Sequence, residues 1–146
     1  SGDNSRINSE DQAIRKLINA GVPPNKIVMG IAFYGKGQQM ATTDNHGLYR
    51  KTLKPQRGGG FSYINDSLMN RNGFVRYWDS KAKAPYLFNA DKKIFITYDD
   101  HKSVKLKCRY VKRHHLAGVM FWEYSSDPKE YLLKVIAKSF GYTAPY

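Results

Sequence analysis

The sequence predicts an α/β fold with parallel strands, interrupted by a smaller α+β insertion. Two uninterrupted apolar runs carry the prediction: Ile27-Val28-Met29-Gly30-Ile31-Ala32-Phe33-Tyr34 and Leu116-Ala117-Gly118-Val119-Met120-Phe121-Trp122. Neither alternates with polar residues, which is the habit of strands covered on both faces in a parallel sheet. Helical patterns bracket both runs. The stretch 37–98 between them changes texture, with many aromatics, scattered bases and clustered glycine. The order helix, strand, insertion, helix, strand, helix is βα rhythm. Two strands cannot cover both faces and both edges of themselves, so the chain reads as part of a larger parallel sheet or barrel.

Each element has its own signal. Ser9 and Gln12 have capping-box spacing, and Ala13, Ile14, Leu17 and Ile18 then share one helical face. Gly21 suits the left-handed residue after the last turn, and Pro23-Pro24 forbids continuation. The first apolar run follows and is expected to leave the sheet at Gly35-Lys36-Gly37. In the insertion, Gly58-Gly59-Gly60 reads as a flexible turn, since it lacks the Lys-Ser/Thr of a phosphate loop. Ser62 is placed as N-cap of a short helix near 63–70, with Gly73 after it. Strands are expected over 74–78, 85–88 and 93–98, the last two joined by an Asn89-Ala90-Asp91 turn. Asp100 is the expected N-cap of a helix over 102–114 with Val104, Cys108 and Val111 facing inward. After the second apolar run, Asp127 as N-cap, Pro128 and Glu130 open a last helix, which Gly141 closes.

Composition bounds the function classes. The chain has 146 residues, with 41% hydrophobic and 25% charged residues, a globular rather than disordered balance. No apolar run approaches the ~18–20 residues of a membrane span. Ser1-Gly2-Asp3-Asn4-Ser5 has no basic end before an apolar stretch, so no signal segment is expected in this chain. One cysteine, Cys108, excludes an internal disulfide framework and a cysteine-based zinc site, and reads as a small core residue. His114-His115 lacks further metal-ligand spacing, so a helix-end role against the dipole is expected. Asp99-Asp100 resembles a carboxylate pair, but the cap role of Asp100 is the better reading. Glu123 follows Trp122 and points away from its side by strand alternation.

The net charge of +12, from 24 Lys+Arg against 12 Asp+Glu, raises polyanion partners as an alternative. Lys102, Lys105, Lys107, Arg109, Lys112 and Arg113 fall on the polar side of one helix, where a solvated face explains them. Lys51, Lys54 and Arg57 lie in the insertion. No nucleic-acid motif accompanies these charges.

The chemistry-bearing residues carry a resemblance. Lys26-Ile27-Val28-Met29-Gly30-Ile31-Ala32-Phe33-Tyr34-Gly35-Lys36 resembles the seventh barrel strand of family 18 glycoside hydrolases, the chitinases. Trp78-Asp79 with Ala84-Pro85-Tyr86, then Thr97-Tyr98-Asp99-Asp100, resemble that family's insertion domain and its exit into the seventh helix. Gly118-Val119-Met120-Phe121-Trp122-Glu123 resembles the eighth strand. The blocks stand in the family's order from about Asp11 to Phe140.

The resemblance implies a partial (β/α)8 TIM barrel, its last strands and helices, carrying an α+β insertion domain. Residues 1–36 and 99–146 would be barrel parts and 37–98 the insertion. It implies cleavage of β-1,4-linked N-acetylglucosamine polymers, with no cofactor or metal and no nucleic-acid or membrane partner. Trp122 would be the floor on which a sugar stacks, with Tyr34, Lys36 and Met120 beside it. Lys36 stands where the family commonly has Arg, so a point charge replaces a planar fork. The family's Asp-x-Asp-x-Glu motif and its Met-x-Tyr-Asp element do not occur in this sequence. By the resemblance, then, the chain is the carboxyl-terminal part of a secreted glycosidase, without a catalytic residue of its own and inactive alone. A non-hydrolytic sugar-binding relative is the other reading. Open barrel edges predict self-association.

Overall fold

A computed structural model describes residues 10–142. The first helix, α1 (Glu10–Asn19), leads into β1 (Val28–Ala32). The insertion follows: β2 (Tyr34–Met40), β3 (Thr52–Gly60), a short α2 (Phe61–Tyr63) running into a π-helical turn (Ile64–Leu68), then β4 (Phe74–Asp79), β5 (Ala84–Asn89) and β6 (Ile94–Thr97). The chain returns through α3 (His101–Arg113), β7 (Gly118–Trp122) and α4 (Tyr131–Ser139). β1 and β7 pair in parallel, from Val28 opposite Gly118 to Ala32 opposite Trp122. The insertion strands form an antiparallel sheet in the order β3-β2-β6-β5-β4.

Helix ends follow the sequence signals. Gly21 and Gly141 take φ of +91° and +83°, and Val22 and Tyr142 donate back to Leu17 and Ala137. Asp100 caps α3: its carboxylate accepts from Lys102 N (2.9 Å) and Ser103 N (3.0 Å), while Ser103 Oγ accepts from Asp100 N (2.9 Å). The expected Ser9 cap lies outside the described residues.

Five expectations are corrected. The strand β1 is buried only at alternate residues, and β7 has no fully buried residue. Helices α1, α3 and α4 cover one face of this two-stranded sheet, and nothing among the described residues covers the other. The chain leaves the parallel pair earlier, after Ala32, and Gly35-Lys36-Gly37 is not an exit but part of β2 in the antiparallel sheet. Gly58-Gly59-Gly60 is the end of β3, not a free turn. Its reason is close approach: a Cβ on Gly58 would lie 1.9 Å from the Gly35 carbonyl oxygen. Ser62 lies inside α2 and is buried, its hydroxyl donating to Asp127 Oδ1 at 3.1 Å. Finally, α4 begins at Tyr131, three residues later than Pro128 implies. Asp127 still receives the first amides, from Tyr131 N (3.1 Å) and Leu132 N (2.8 Å), while Glu130 accepts from the Tyr124 hydroxyl instead.

The cores explain how the two sheets are joined. One cluster draws Ile31 and Phe33 from the parallel pair, Val104, Cys108 and Leu132 from the helices, and Phe61, Ile64, Leu87 and Ile96 from the insertion. Ile14, Ile27, Met29, Val111 and Leu116 form a second between α1, β1 and α3. The outer face of the insertion sheet has its own, Met40, Tyr86, Phe88 and Phe95. A polar clamp adds to the junction. Arg76 on β4 donates from Nε to Asp100 Oδ2 (2.9 Å), and Lys102 Nζ sits 3.8 Å over the Trp78 ring.

Candidate functional site

Phe33 is the pivot of the site. Its ring is buried and stacks on Phe121, centroids 4.6 Å apart. Its N–H donates to Trp122 O (2.8 Å) and its carbonyl accepts from Phe61 N (2.8 Å). These contacts tie the ends of β1, β7 and β3 together. Because Phe33 points inward, its neighbours Ala32 and Tyr34 point to the opposite side.

That side is open on the parallel pair. Trp122 is 62% exposed, Val28 50% and Met120 49%, all on one face. Ala32 lies opposite Trp122 and Gly30 opposite Met120. The small residues leave the indole and the thioether proud of the sheet. A Cβ on Gly30 would already contact Met120 Sδ at 3.7 Å.

Ala32 joins this shelf to a cleft of about 530 Å³ between the parallel pair and the insertion. Tyr34, half-buried, and Lys36, exposed, line it with Ala32. Thr97, the register partner of Lys36 on β6, lines it too, with Tyr49, Tyr98 and the β4–β5 turn carrying Lys81 and Lys83. Glu10, Asp99 and Lys107 also line it.

The cleft's polar groups are mostly engaged. Lys107 Nζ donates to Asp99 Oδ2 (2.7 Å) and Glu10 Oε1 (2.9 Å), and Asp99 Oδ1 accepts from Ser103 Oγ (2.8 Å). Burial pulls the Lys107 ammonium down, but the two carboxylates outweigh it and its pKa is raised. Tyr49 donates its hydroxyl to Asp79, whose other oxygen accepts from Lys81 N (2.8 Å) and Ala82 N (3.2 Å). That hydrogen bond, with burial behind it, pushes the Tyr49 phenol up to about 12. The Tyr98 hydroxyl is buried with no hydrogen-bond partner among the described residues, and burial raises its pKa.

Of the predicted site residues, Tyr34 and Lys36 share the cleft, while Trp122 and Met120 share the adjoining shelf. Glu123 follows Trp122 across a cis peptide and is exposed. Asp99 and Asp100 do not act as a pair: one holds Lys107, the other caps α3. Cys108 is buried, and burial raises its thiol pKa. His114 ends α3 stacked on Tyr110 at 4.1 Å. Sequence reasoning missed Tyr49, Lys81 and Lys83. Tyr49 carries no motif, and only its capture by Asp79 across the insertion brings it to the cleft.

Comparison with known proteins fits this layout. The sequence model of the glycosyl hydrolases family 18 matches residues 1–127. Chitinase A1 of Niallia circulans is 40% identical over 117 residues, covering 75% of this chain and 17% of that protein. Chitinase B of Serratia marcescens is 33% identical over 141 residues, covering 80% of this chain and 28% of that protein. The chain thus spans less than a third of either relative. Among solved structures, a family 18 N-acetylglucosaminidase from Paenibacillus barengoltzii superposes with a TM-score of 0.83 at 45% identity, over 88% of this chain and 38% of that one. Chitinase ChiW from a Paenibacillus species does so with a TM-score of 0.88 at 34% identity, over 99% of this chain and 17% of that one. A plant class V chitinase mutant from Cycas revoluta, solved with (GlcNAc)3, superposes at 0.80 with 25% identity, over 90% of this chain and 38% of that one.

Proposed function

Because this chain belongs to glycosyl hydrolase family 18, we propose that it is the carboxyl-terminal part of a (β/α)8 barrel enzyme that cleaves β-1,4-linked N-acetylglucosamine polymers. In this reading β1 and β7 are the seventh and eighth barrel strands. Residues 37–98, together with the first residues of β2 before them, are the inserted domain that walls the cleft, and within the described residues 10–33 and 99–142 are barrel. The observation that carries it is the contiguous surface formed by exposed Trp122 and Met120 and the Tyr34–Lys36 cleft, at the carboxyl ends of two parallel strands. Barrel enzymes build their sites at that end. A flat indole accepts the apolar C–H face of a pyranose, and the Tyr34 hydroxyl and Lys36 ammonium offer polar contacts beside it.

Cleavage of the glycosidic bond needs a carboxylic acid to protonate the leaving oxygen, with the substrate's own acetamido group as nucleophile. The buried carboxylates here are already acceptors: Asp79 for Tyr49, Asp99 for Lys107, Asp100 for Arg76 and its helix, and Asp127 for α4. In this reading the described residues bind and orient sugar, and the acid comes from elsewhere in the protein. Secretion, absence of nucleic-acid partners, and completion of the open β1–β7 face by further strands of the same protein belong to this reading. Expressed without them, the chain would self-associate through those edges.

The test uses the full-length protein carrying this chain. Adding N-acetylglucosamine oligomers should perturb tryptophan fluorescence. Trp122→Ala should abolish that response and weaken binding about tenfold or more, the scale of a lost aromatic stack and its buried area. Unchanged affinity in Trp122→Ala would refute the platform.

A further inference from the structure

The outward face of α3 carries one sign of charge. The helix has no acidic residue, and its exposed residues are His101, Lys102, Lys105, Arg109, Lys112 and Arg113. At 3.6 residues per turn the five bases fall within about 100° of arc, on a helix about 20 Å long. Lys102–Lys105, Lys105–Arg109, Arg109–Lys112 and Arg109–Arg113 bring like charges together at three- and four-residue spacing, which works against the helix. None of the five forms an ion pair among the described residues. Lys138 of α4 is likewise exposed, and it precedes Ser139, whose carbonyl accepts from Lys112 Nζ (3.1 Å).

The neighbours of α3 do not supply the missing charge. On α1, Glu10 holds Lys107, and Asp11 holds Arg15 and the Tyr110 hydroxyl. At the start of α3, Asp99 holds Lys107, and Asp100 holds Arg76 while capping the helix. Glu130, before α4, faces Lys134. These five carboxylates meet four cations, which leaves one negative charge against the five bases of the stripe. Solvation explains why the bases are exposed. It does not explain why no acid is interspersed among them, as on an ordinary surface. Lys107, the base of α3 that lines the cleft, points away from the stripe by helical periodicity. The helices that flank the face, α1 and α4, both belong to this chain.

We propose that the outward face of α3 is a docking surface for a linear acidic polysaccharide, held by charge while the cleft stays free. A straight stripe of bases suits an extended polyanion, whose counterions are released on binding. Other polyanions fit less well. The stripe has no exposed aromatic to stack on nucleic-acid bases and no exposed apolar side chain to enter a membrane. The surface stands independently of the sugar-binding reading.

The test measures affinities of the full-length protein for alginate, a linear polymer of uronic acids, at increasing salt. Binding should be strongest at low salt and fall steadily as salt rises. Lys105→Gln with Arg109→Gln and Arg113→Gln should weaken it about tenfold or more and flatten the salt dependence. This triple variant should melt no lower than the unaltered protein, because it removes like-charge pairs. Its lost affinity is then not a lost fold. Arg50→Gln with Lys51→Gln and Lys54→Gln removes the same charge from the insertion and should change affinity by less than about twofold. Saturating the cleft with an N-acetylglucosamine oligomer should leave alginate binding unchanged. Equal losses in the two triple variants, or no binding at low salt, overturn the surface. Competition by the oligomer overturns it as well, since the polymer would then occupy the cleft. Tighter binding of duplex DNA or of phosphatidylglycerol vesicles through the same three bases replaces the polysaccharide and overturns the proposal too. Failure of the oligomer to bind overturns the sugar-binding reading alone, and the two triple variants still decide the surface.

Discussion

Strands β5 and β7 are both mostly apolar in sequence but have opposite fates. Five of the six residues of β5 are buried, and none of the five in β7 is. The insertion sheet packs one face on the shared core and the other on its own Met40, Tyr86, Phe88 and Phe95 cluster. The parallel pair has helices on one side and Trp122, Met120 and Val28 open on the other. Burial is thus a property of what covers a strand as much as of its residues. The insertion brings its own cover, while in the proposed reading the parallel pair awaits strands that lie elsewhere in the protein. Sugar binding is proposed for that uncovered part, where the aromatic is free to meet a ligand.

The sharpest break in the comparison is inside β5. Leu87 is fully buried against Ile64, Ile96 and Phe74. Leu87→Ala should cost about 2–5 kcal/mol, through lost transfer energy and the cavity left behind. Urea unfolding of the 146-residue chain checks it. A loss under about 1 kcal/mol would mean that the insertion core is loosely packed and the contrast with β7 is unsound.

The two regions also differed in how readable they were. Helices α1 and α3 and both parallel strands were legible because periodicity, caps and apolar runs agree there. What failed was distance-dependent. Gly35, Gly37 and Gly58 read locally as breakers, yet each lies where strand backbones or packed side chains approach closely, so β2 and β3 form through them. Asp127 was recognised as a cap, but its second partner, Ser62, lies far off in sequence, and that contact moves Ser62 from cap to core. At the candidate site, Trp122, Met120, Tyr34 and Lys36 follow from the resemblance of the two apolar runs to family 18 barrel strands, since residue pattern alone reads Trp122 as core. Tyr49 and the lysine turn were hidden because only the insertion's tertiary fold brings them to the cleft.

A smaller effect distinguishes the regions through pH. Tyr49 is held in the insertion by Asp79, and Tyr110 ties α3 to α1 through Asp11 at 2.7 Å. Both phenols are pushed up to about 12, Tyr49 first by its hydrogen bond to Asp79 and Tyr110 first by burial. A folded-state pKa raised above the ordinary ~10 favours the protonated phenol in the fold. That contribution is fully present below pH ~10 and is lost as pH rises through about 12. Tyr49→Phe should remove one late-titrating tyrosine from the tyrosinate absorbance curve and cost the insertion about 1 kcal/mol at neutral pH. An unchanged late fraction would show that Asp79 does not hold the phenol.

The smallest expected effect lies on the open shelf. Met120 is 49% exposed and contributes little apolar burial, so Met120→Ala in the 146-residue chain should change stability by less than about 0.5 kcal/mol. The same substitution in the full-length protein should cost more, because the remaining barrel strands would cover the thioether there. The pair of measurements separates two accounts of the shelf. If Met120→Ala costs about 2 kcal/mol in the short chain and the cost rises with protein concentration, a second copy covers the face, and association is part of the measured stability. A small and concentration-independent cost leaves the face uncovered until its own barrel is completed, and Trp122 beside it open to the cleft.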